Sequence, residues 1–194
     1  MNQTVFFDAV RSSLFDGKMT QQQVDGCLRL IAACQSFRIT DARQAAYVLA
    51  TSYHETTALV DGHWQRTMSP VSEIGEGRGK PYGRPAGPYN KVYYGRGDVQ
   101  LTWFMNYKRF GSAVGVDLVQ FPEKALDPVI SAKILVFGMV NGWFTGRKLA
   151  DFINASGCDY VDARKIINAL DQAQLIAGYA VHFEKALVAA GYGH

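Results

Sequence analysis

Thr40-Asp-Ala-Arg-Gln-Ala-Ala-Tyr-Val-Leu-Ala-Thr-Ser-Tyr-His-Glu55 reads as a helix that carries a carboxyl group at its end. Thr40 or Asp41 supplies the cap, and Ala42, Ala45, Ala46, Leu49 and Tyr53 fall on one apolar stripe. The same period runs outward in both directions. Upstream, Thr20 to Gln23 form a capping box ahead of Val24, Cys27, Leu28 and Ile31. Downstream, helices are expected after Pro122 and after Pro128, and the nearly all-apolar run 130–143 is expected at the centre of the core. Shorter helices are expected over 148–154 and 160–168. A last one places Ile176, Ala180, Phe183 and Leu187 on one face. The chain therefore reads as mainly helical.

One stretch breaks the pattern. Residues 58–97 hold eight of the 19 glycines and four of the six prolines, with no sustained period. An irregular segment of that length inside a compact domain is functional or disordered. Its aromatic residues, among them Trp64, Tyr82, Tyr93 and Tyr94, argue for an ordered lobe that faces a ligand.

The composition sets the outer bounds. A length of 194 residues fits one domain, 1–194, and 48% apolar content excludes intrinsic disorder. Twenty basic against 17 acidic residues leave +3, too slight for a nucleic-acid footprint, so no nucleic-acid partner is expected. The three cysteines are an odd number without a CxxC pair, and Cys27 and Cys34 lie on one helix face, as reduced core thiols do. The longest apolar run, 134–140, is far short of a bilayer span, and residues 1–13 lack a signal-like apolar segment. The expectation is a monomer made in a bacterial cytoplasm without a signal peptide and without membrane insertion.

Several familiar chemistries fail on spacing. His54-Glu55 would need a second histidine at position 58 to be a zinc-protease helix, and that residue is Ala58. Gly75-Glu-Gly-Arg-Gly-Lys80 fails as a phosphate loop because positions 74 and 81 are Ile74 and Pro81. No metal and no cofactor is expected. What remains is carboxylates. Near the negative end of a helix and on a partly apolar face, Glu55 has its charged form disfavoured, as a general acid requires. Glu73 and Glu76 follow in the irregular lobe, and two carboxylates flanking a cleft are the minimal equipment for glycoside hydrolysis. Read singly, each of these glutamates also fits a solvated surface. In Tyr93-Tyr-Gly-Arg-Gly-Asp-Val-Gln-Leu-Thr-Trp103, a short strand would send Val99 and Leu101 inward and Gln100 and Thr102 to the other face. With Asn106 at the start of the next helix, these side chains can grip sugar hydroxyl and acetamido groups or orient a water.

Taken together, His54-Glu55-Thr56-Thr57, Met68-Ser-Pro-Val-Ser-Glu-Ile-Gly75, Tyr93-Tyr-Gly-Arg-Gly97, Val99-Gln-Leu-Thr-Trp103 and Asn106-Tyr107 resemble glycoside hydrolase family 19. The match looks closest to its compact, chitinase-like phage and prophage endolysin branch. The resemblance implies an α+β, lysozyme-like fold: a two-lobed helical domain with a small β-hairpin and a central cleft. It implies Glu55 as general acid and a general base in the 73–76 loop. Glu73 is the choice, because it stands in a Glu-x-Gly context, with Glu76 nearby on the substrate side. It further implies that Gln100, Thr102 and Asn106 bind sugar and position water, that His54 and Thr57 support the acid, and that Tyr94 and Asn168 contact substrate. Ala169 departs from the glycine that follows Ile-Asn in chitinases. The chain is too short for the loops that extend a chitinase cleft, which favours peptidoglycan strands as partner, hydrolysed with inversion on the periplasmic side after release. Chitin is the alternative substrate. A catalytically silent glycan-binding phage structural protein is the alternative outside enzymes.

Overall fold

Nine consecutive residues, Ala45 to Tyr53, are buried, so the helix that carries them is packed on every side and organises the molecule. The computed structural model describes residues 1–193. Among these residues are seven α-helices: α1 (Gln3–Leu14), α2 (Gln21–Ser36), α3 (Ala42–Glu55), α4 (Phe104–Val114), α5 (Pro128–Asn141), α6 (Leu149–Phe152) and α7 (Ala173–Ala189). Three two-stranded antiparallel hairpins accompany them. These pair β1 (Thr57–Val60) with β2 (His63–Arg66), β3 (Val71–Ser72) with β4 (Arg96–Gly97), and β5 (Ile153–Asn154) with β6 (Gly157–Cys158).

The helix starts follow from their caps. The Thr20 hydroxyl accepts from the Gln23 amide at 3.2 Å while the Gln23 side chain accepts from the Thr20 amide at 2.8 Å, a reciprocal pair of the kind worth about 1 kcal/mol. Asp41, rather than Thr40, caps α3 by accepting from the Arg43 amide at 2.9 Å. Asp127 does the same for α5 through the amides of Val129 and Ile130.

Two apolar clusters make two lobes. The larger gathers α1, α2, α3 and α7 around Phe6, Leu30, Leu49 and Phe183. The smaller is built from Tyr93, Leu101, Tyr107, Phe110, Leu118 and Ile134. Helix α5 is shared between them, with Ile134 in the small cluster and Leu135 and Val136 in the large one. The apolar run 130–143 is thus the partition between two cores, and α3 takes the central place expected for it.

Further expectations are revised. The helix expected over 148–154 stops at Phe152, because Ile153 and Asn154 pair with Gly157 and Cys158. The one expected over 160–168 is a single 3₁₀ stretch, Asp162–Ile166, and Pro122–Leu126 is also 3₁₀. Part of the irregular segment is regular, because Asp61 and Gly62 (φ 50° and 78°) turn β1 back along β2. The strand expected over 99–102 is replaced by a turn at 98–100, with Gln100 in the left-handed region (φ 52°), after which Leu101 alone pairs antiparallel with Arg96. Leu101 is nonetheless buried, and Val99 is partly buried against both cores.

That turn forms because Asp98 is pulled inside. Fully buried, its Oδ1 accepts from Arg29 Nη2 (2.6 Å) and Ser52 Oγ (2.7 Å), and its Oδ2 from Arg29 Nη1 (2.7 Å) and Ser131 Oγ (2.6 Å). Helices α2, α3 and α5 therefore meet at one carboxylate at the end of β4. Arg29 also donates to the Met68 carbonyl at 2.8 Å. Gly26 is what lets that loop approach, since a Cβ there would lie 2.1 Å from the same carbonyl oxygen.

Candidate active site

Glu55 is the last residue of α3, and the polypeptide passes directly into β1. One hydrogen-bonded unit fixes this junction. Arg66 on β2 donates to the His54 carbonyl (2.8 Å), to Thr57 Oγ1 (2.6 Å) and to Tyr179 Oη on α7 (3.1 Å). The hairpin is thereby held against the end of α3 and forms one wall of a cleft of about 530 Å³. Glu55, Thr57, Leu59, Trp64, Val71, Glu73, Ile74 and Gln100 line it. Leu59 and Trp64 are cross-strand partners and both largely exposed, so they offer an apolar platform on this wall.

Glu73 occupies the facing loop and is tightly held. Its amide donates to the Gly95 carbonyl (2.8 Å), its Oε2 accepts from the Gly95 amide (2.9 Å) and its Oε1 from Tyr82 Oη (2.8 Å). The bond to Glu73 in turn pushes the Tyr82 phenol above its ordinary range. Two donors, one on each oxygen, orient this carboxylate. Glu55 has a different neighbour: the buried Arg164 donates from Nη1 to its Oε1 at 2.7 Å. A second bond, from Arg164 Nε to the Asp171 carbonyl (3.0 Å), fixes the guanidinium. Glu55 thus faces a buried cation as well as the negative end of α3.

His54 is half-buried, with a buried Nδ1 that has no partner among the described residues. Desolvation lowers its pKa below the usual histidine value. The charge of Glu55 opposes this, and Arg66 and Arg164 reinforce it. The imidazole sits neutral beside the carboxyl.

Gln100, Thr102 and Asn106 form a ladder in which each side chain is tied to backbone. Gln100 Nε2 donates to the Val71 carbonyl (2.9 Å), Thr102 Oγ1 to the Gln100 carbonyl (2.7 Å) and Asn106 Nδ2 to the Thr102 carbonyl (2.8 Å). All three line a smaller hollow of about 180 Å³ that shares Gln100 with the cleft. Backbone strain brackets the ladder, with Gln100 (φ 52°) and Trp103 (φ 77°) both in the left-handed region.

The structure thus brings Glu55, Thr57, Glu73 and Gln100 to one cleft and Thr102 and Asn106 to its extension. Glu76, Tyr94 and Asn168 line neither hollow. Glu76 is exposed in a turn. Tyr94 lies under the Arg96 guanidinium, 3.5 Å from its ring centre. Asn168 is exposed and accepts from its neighbour's amide at 2.9 Å. Sequence reasoning missed Arg164, Arg66 and the role of Tyr82. A buried arginine carries no local signal, but the Asp61-Gly62 turn that positions Arg66 does.

Residues 31–149 match the family model described as "Chitinase class I". Endochitinase 1 of Theobroma cacao is 37% identical over 123 residues, covering 53% of this chain and 37% of the cacao protein. Inactive chitinase-like protein 1 of Hevea brasiliensis is 40% identical over 70 residues, covering 36% of this chain and 22% of that protein. The chain thus spans well under half the length of the curated relatives it matches. Among solved structures, chitinase C from Streptomyces griseus HUT6037 superposes with a TM-score of 0.62 at 22% identity, covering 98% of this chain and 76% of that one. That likeness shows the mainly helical, lysozyme-like fold. The family match runs from α2 to the start of α6 and contains Glu55, Glu73, Gln100, Thr102 and Asn106. This chain belongs to glycoside hydrolase family 19, the class I chitinase family.

Proposed function

We propose that the protein hydrolyses β-1,4 glycosidic bonds of an N-acetylated glycan, with Glu55 as general acid and Glu73 as general base. The observation that carries this reading is the placement of these two carboxylates on one cleft, in contrasting surroundings. The Glu55 carboxyl gives its proton to the glycosidic oxygen as the bond to the anomeric carbon breaks. Glu73 takes a proton from the water that attacks this carbon from the opposite face, so the configuration inverts. Afterwards Glu55 is a carboxylate and Glu73 a carboxylic acid, and solvent exchange restores both. Arg164 stabilises the charge that Glu55 acquires, and Tyr82 with the Gly95 amide keeps Glu73 aimed.

The substrate we infer is the glycan strand of bacterial peptidoglycan, as suits a compact endolysin-like chain acting on a cell wall. Its core thiols are unreactive, since burial pushes Cys27 and Cys34 up to about 12. Chitin is the second reading, favoured by the endochitinase relative from cacao. Reducing-end release from purified peptidoglycan and from N-acetylglucosamine oligomers, with mass spectrometry of the products, separates the two. In the same assay Glu73→Gln is expected to lose about 10²–10⁴ of the rate while Glu76→Gln keeps most of it. Equal activities in the two variants would remove Glu73 from the mechanism.

A further inference from the structure

Beyond Asn106 the cleft does not end. Asn106 and Trp143 also line a further hollow of about 550 Å³, completed by Met105, Lys108, Arg109 and Ser112. Five of these six residues stand on α4, and Trp143 follows Gly142, whose left-handed backbone (φ 68°) closes α5. The chemistry here differs from that around Glu55. Arg109 stacks on the indole of Trp143, with its guanidinium carbon 3.8 Å from the ring centre. Both Lys108 and Arg109 are exposed, and neither makes an ion pair among the described residues.

The charge of the whole chain points the same way. Residues 73–120 carry seven Lys and Arg against four Asp and Glu, while the rest of the chain balances at thirteen against thirteen. The net +3 therefore belongs to the segment that builds the small lobe. Within it Asp98 is consumed by the buried network and Glu73 by Tyr82 and Gly95, which leaves exposed Glu76 and Asp117 against exposed Arg78, Lys80, Arg84, Lys91, Lys108 and Arg109. Of these, Lys108 and Arg109 line the hollow, and a neutral glycan gains nothing from their charge.

We infer that the hollow lined by Trp143, Arg109 and Lys108 is a subsite for a sugar bearing a carboxylate, and that it selects an acid-substituted glycan over a neutral one. This rests on the glycan reading above and sharpens it. Trp143 holds the Arg109 guanidinium in place before ligand arrives, so little side-chain freedom remains to be lost when its planar fork meets a carboxylate. Lys108, the preceding residue on α4, adds a second charge without needing fixed geometry. No acidic side chain has to be displaced from either. The carboxylate can come from a lactyl ether on the sugar ring or from a peptide attached to it.

The test is a binding measurement on the full chain carrying Glu55→Gln, which keeps the probes from turning over. The probes are the N-acetylglucosamine tetrasaccharide, an alternating tetrasaccharide of N-acetylglucosamine and N-acetylmuramic acid with free lactyl carboxylates, and the same alternating sugar with its peptide stems. Titration calorimetry at low and high salt should show a preference for an acidic probe that shrinks as salt rises. Adding Lys108→Gln and Arg109→Gln should cut that preference about tenfold or more. Arg109→Lys, which retains charge but not the planar fork, should keep a larger part of it. A preference confined to the stem-bearing sugar identifies peptide carboxylates as the group read; one already present without stems identifies the lactyl group. An unchanged preference in the double glutamine variant, or none in the parent, overturns the subsite. Absence of reducing-end release by the unmodified chain would instead count against the hydrolase reading, so the two failures are separable.

Discussion

At the scale of single residues, His54 shows how burial sets a charge state next to the proposed acid. Its pKa is depressed, mainly by desolvation, from the ordinary 6.5. The unfolded chain therefore takes up a proton near pH 6.5 that the native imidazole still refuses, so stability is full above that value and falls as pH drops towards the native pKa. The groups that face it, Glu55, Arg66, Arg164 and Asp171, modulate the shift without reversing it. Urea unfolding at pH 7.5 and at pH 5 should show a loss in the parent protein that His54→Gln reduces. A parent and variant with equal pH slopes would mean that His54 is protonated freely in the fold. Asp41 does not confuse this window. Its hydrogen bond to the Arg43 side chain lowers its pKa from 3.8, so its contribution is lost only below that pH.

Among elements, the contact that matters most is the one that no periodicity could announce. Asp98 lies in a glycine-rich turn, where a carboxylate is expected in solvent, yet it ties α2, α3 and α5 to the end of β4. Burying a charge is tolerated here because each oxygen has two donors. Asp98→Ala should cost about 3–5 kcal/mol in chemical denaturation, because Arg29 is left largely buried without its partner. A loss below about 1 kcal/mol would show that the network is dispensable. The helices themselves were legible: the capping box at Thr20, the stripe of α3 and the apolar α5 follow directly from spacing. The β1–β2 hairpin was not read: Asp61-Gly62 is a hairpin-turn signal, but the surrounding glycines and prolines made the whole stretch look irregular. The 98–100 turn was not legible. Alternation of apolar and polar residues suggests a strand, whereas buried, hydrogen-bonded Asp98 and the left-handed backbone of Gly97 and Gln100 make a turn.

Across the whole molecule, two cores share α5, and the hollow that extends the cleft past Gln100 is lined by Val99 and Phe144, which pack against both. That arrangement explains why the candidate site residues come from separated stretches of chain. Glu55 is delivered by the large lobe, and Glu73 and Gln100 by loops that Gly95, Gly97 and Asp98 anchor to it. Sequence brought the glutamates, Gln100 and Asn106 into view, since each stands in a short motif. Arg164 stayed hidden because it is held by a carboxylate 109 positions away. The opposite charge it offers Glu55 is a tertiary property, as is the stacking of Arg109 on Trp143. The proposed mechanism stands or falls on Glu55. Reducing-end release from purified peptidoglycan should fall about 10²–10⁴-fold in Glu55→Gln while circular dichroism and thermal unfolding remain those of a folded protein. A folded Glu55→Gln variant that cleaves glycan at the parental rate would contradict it.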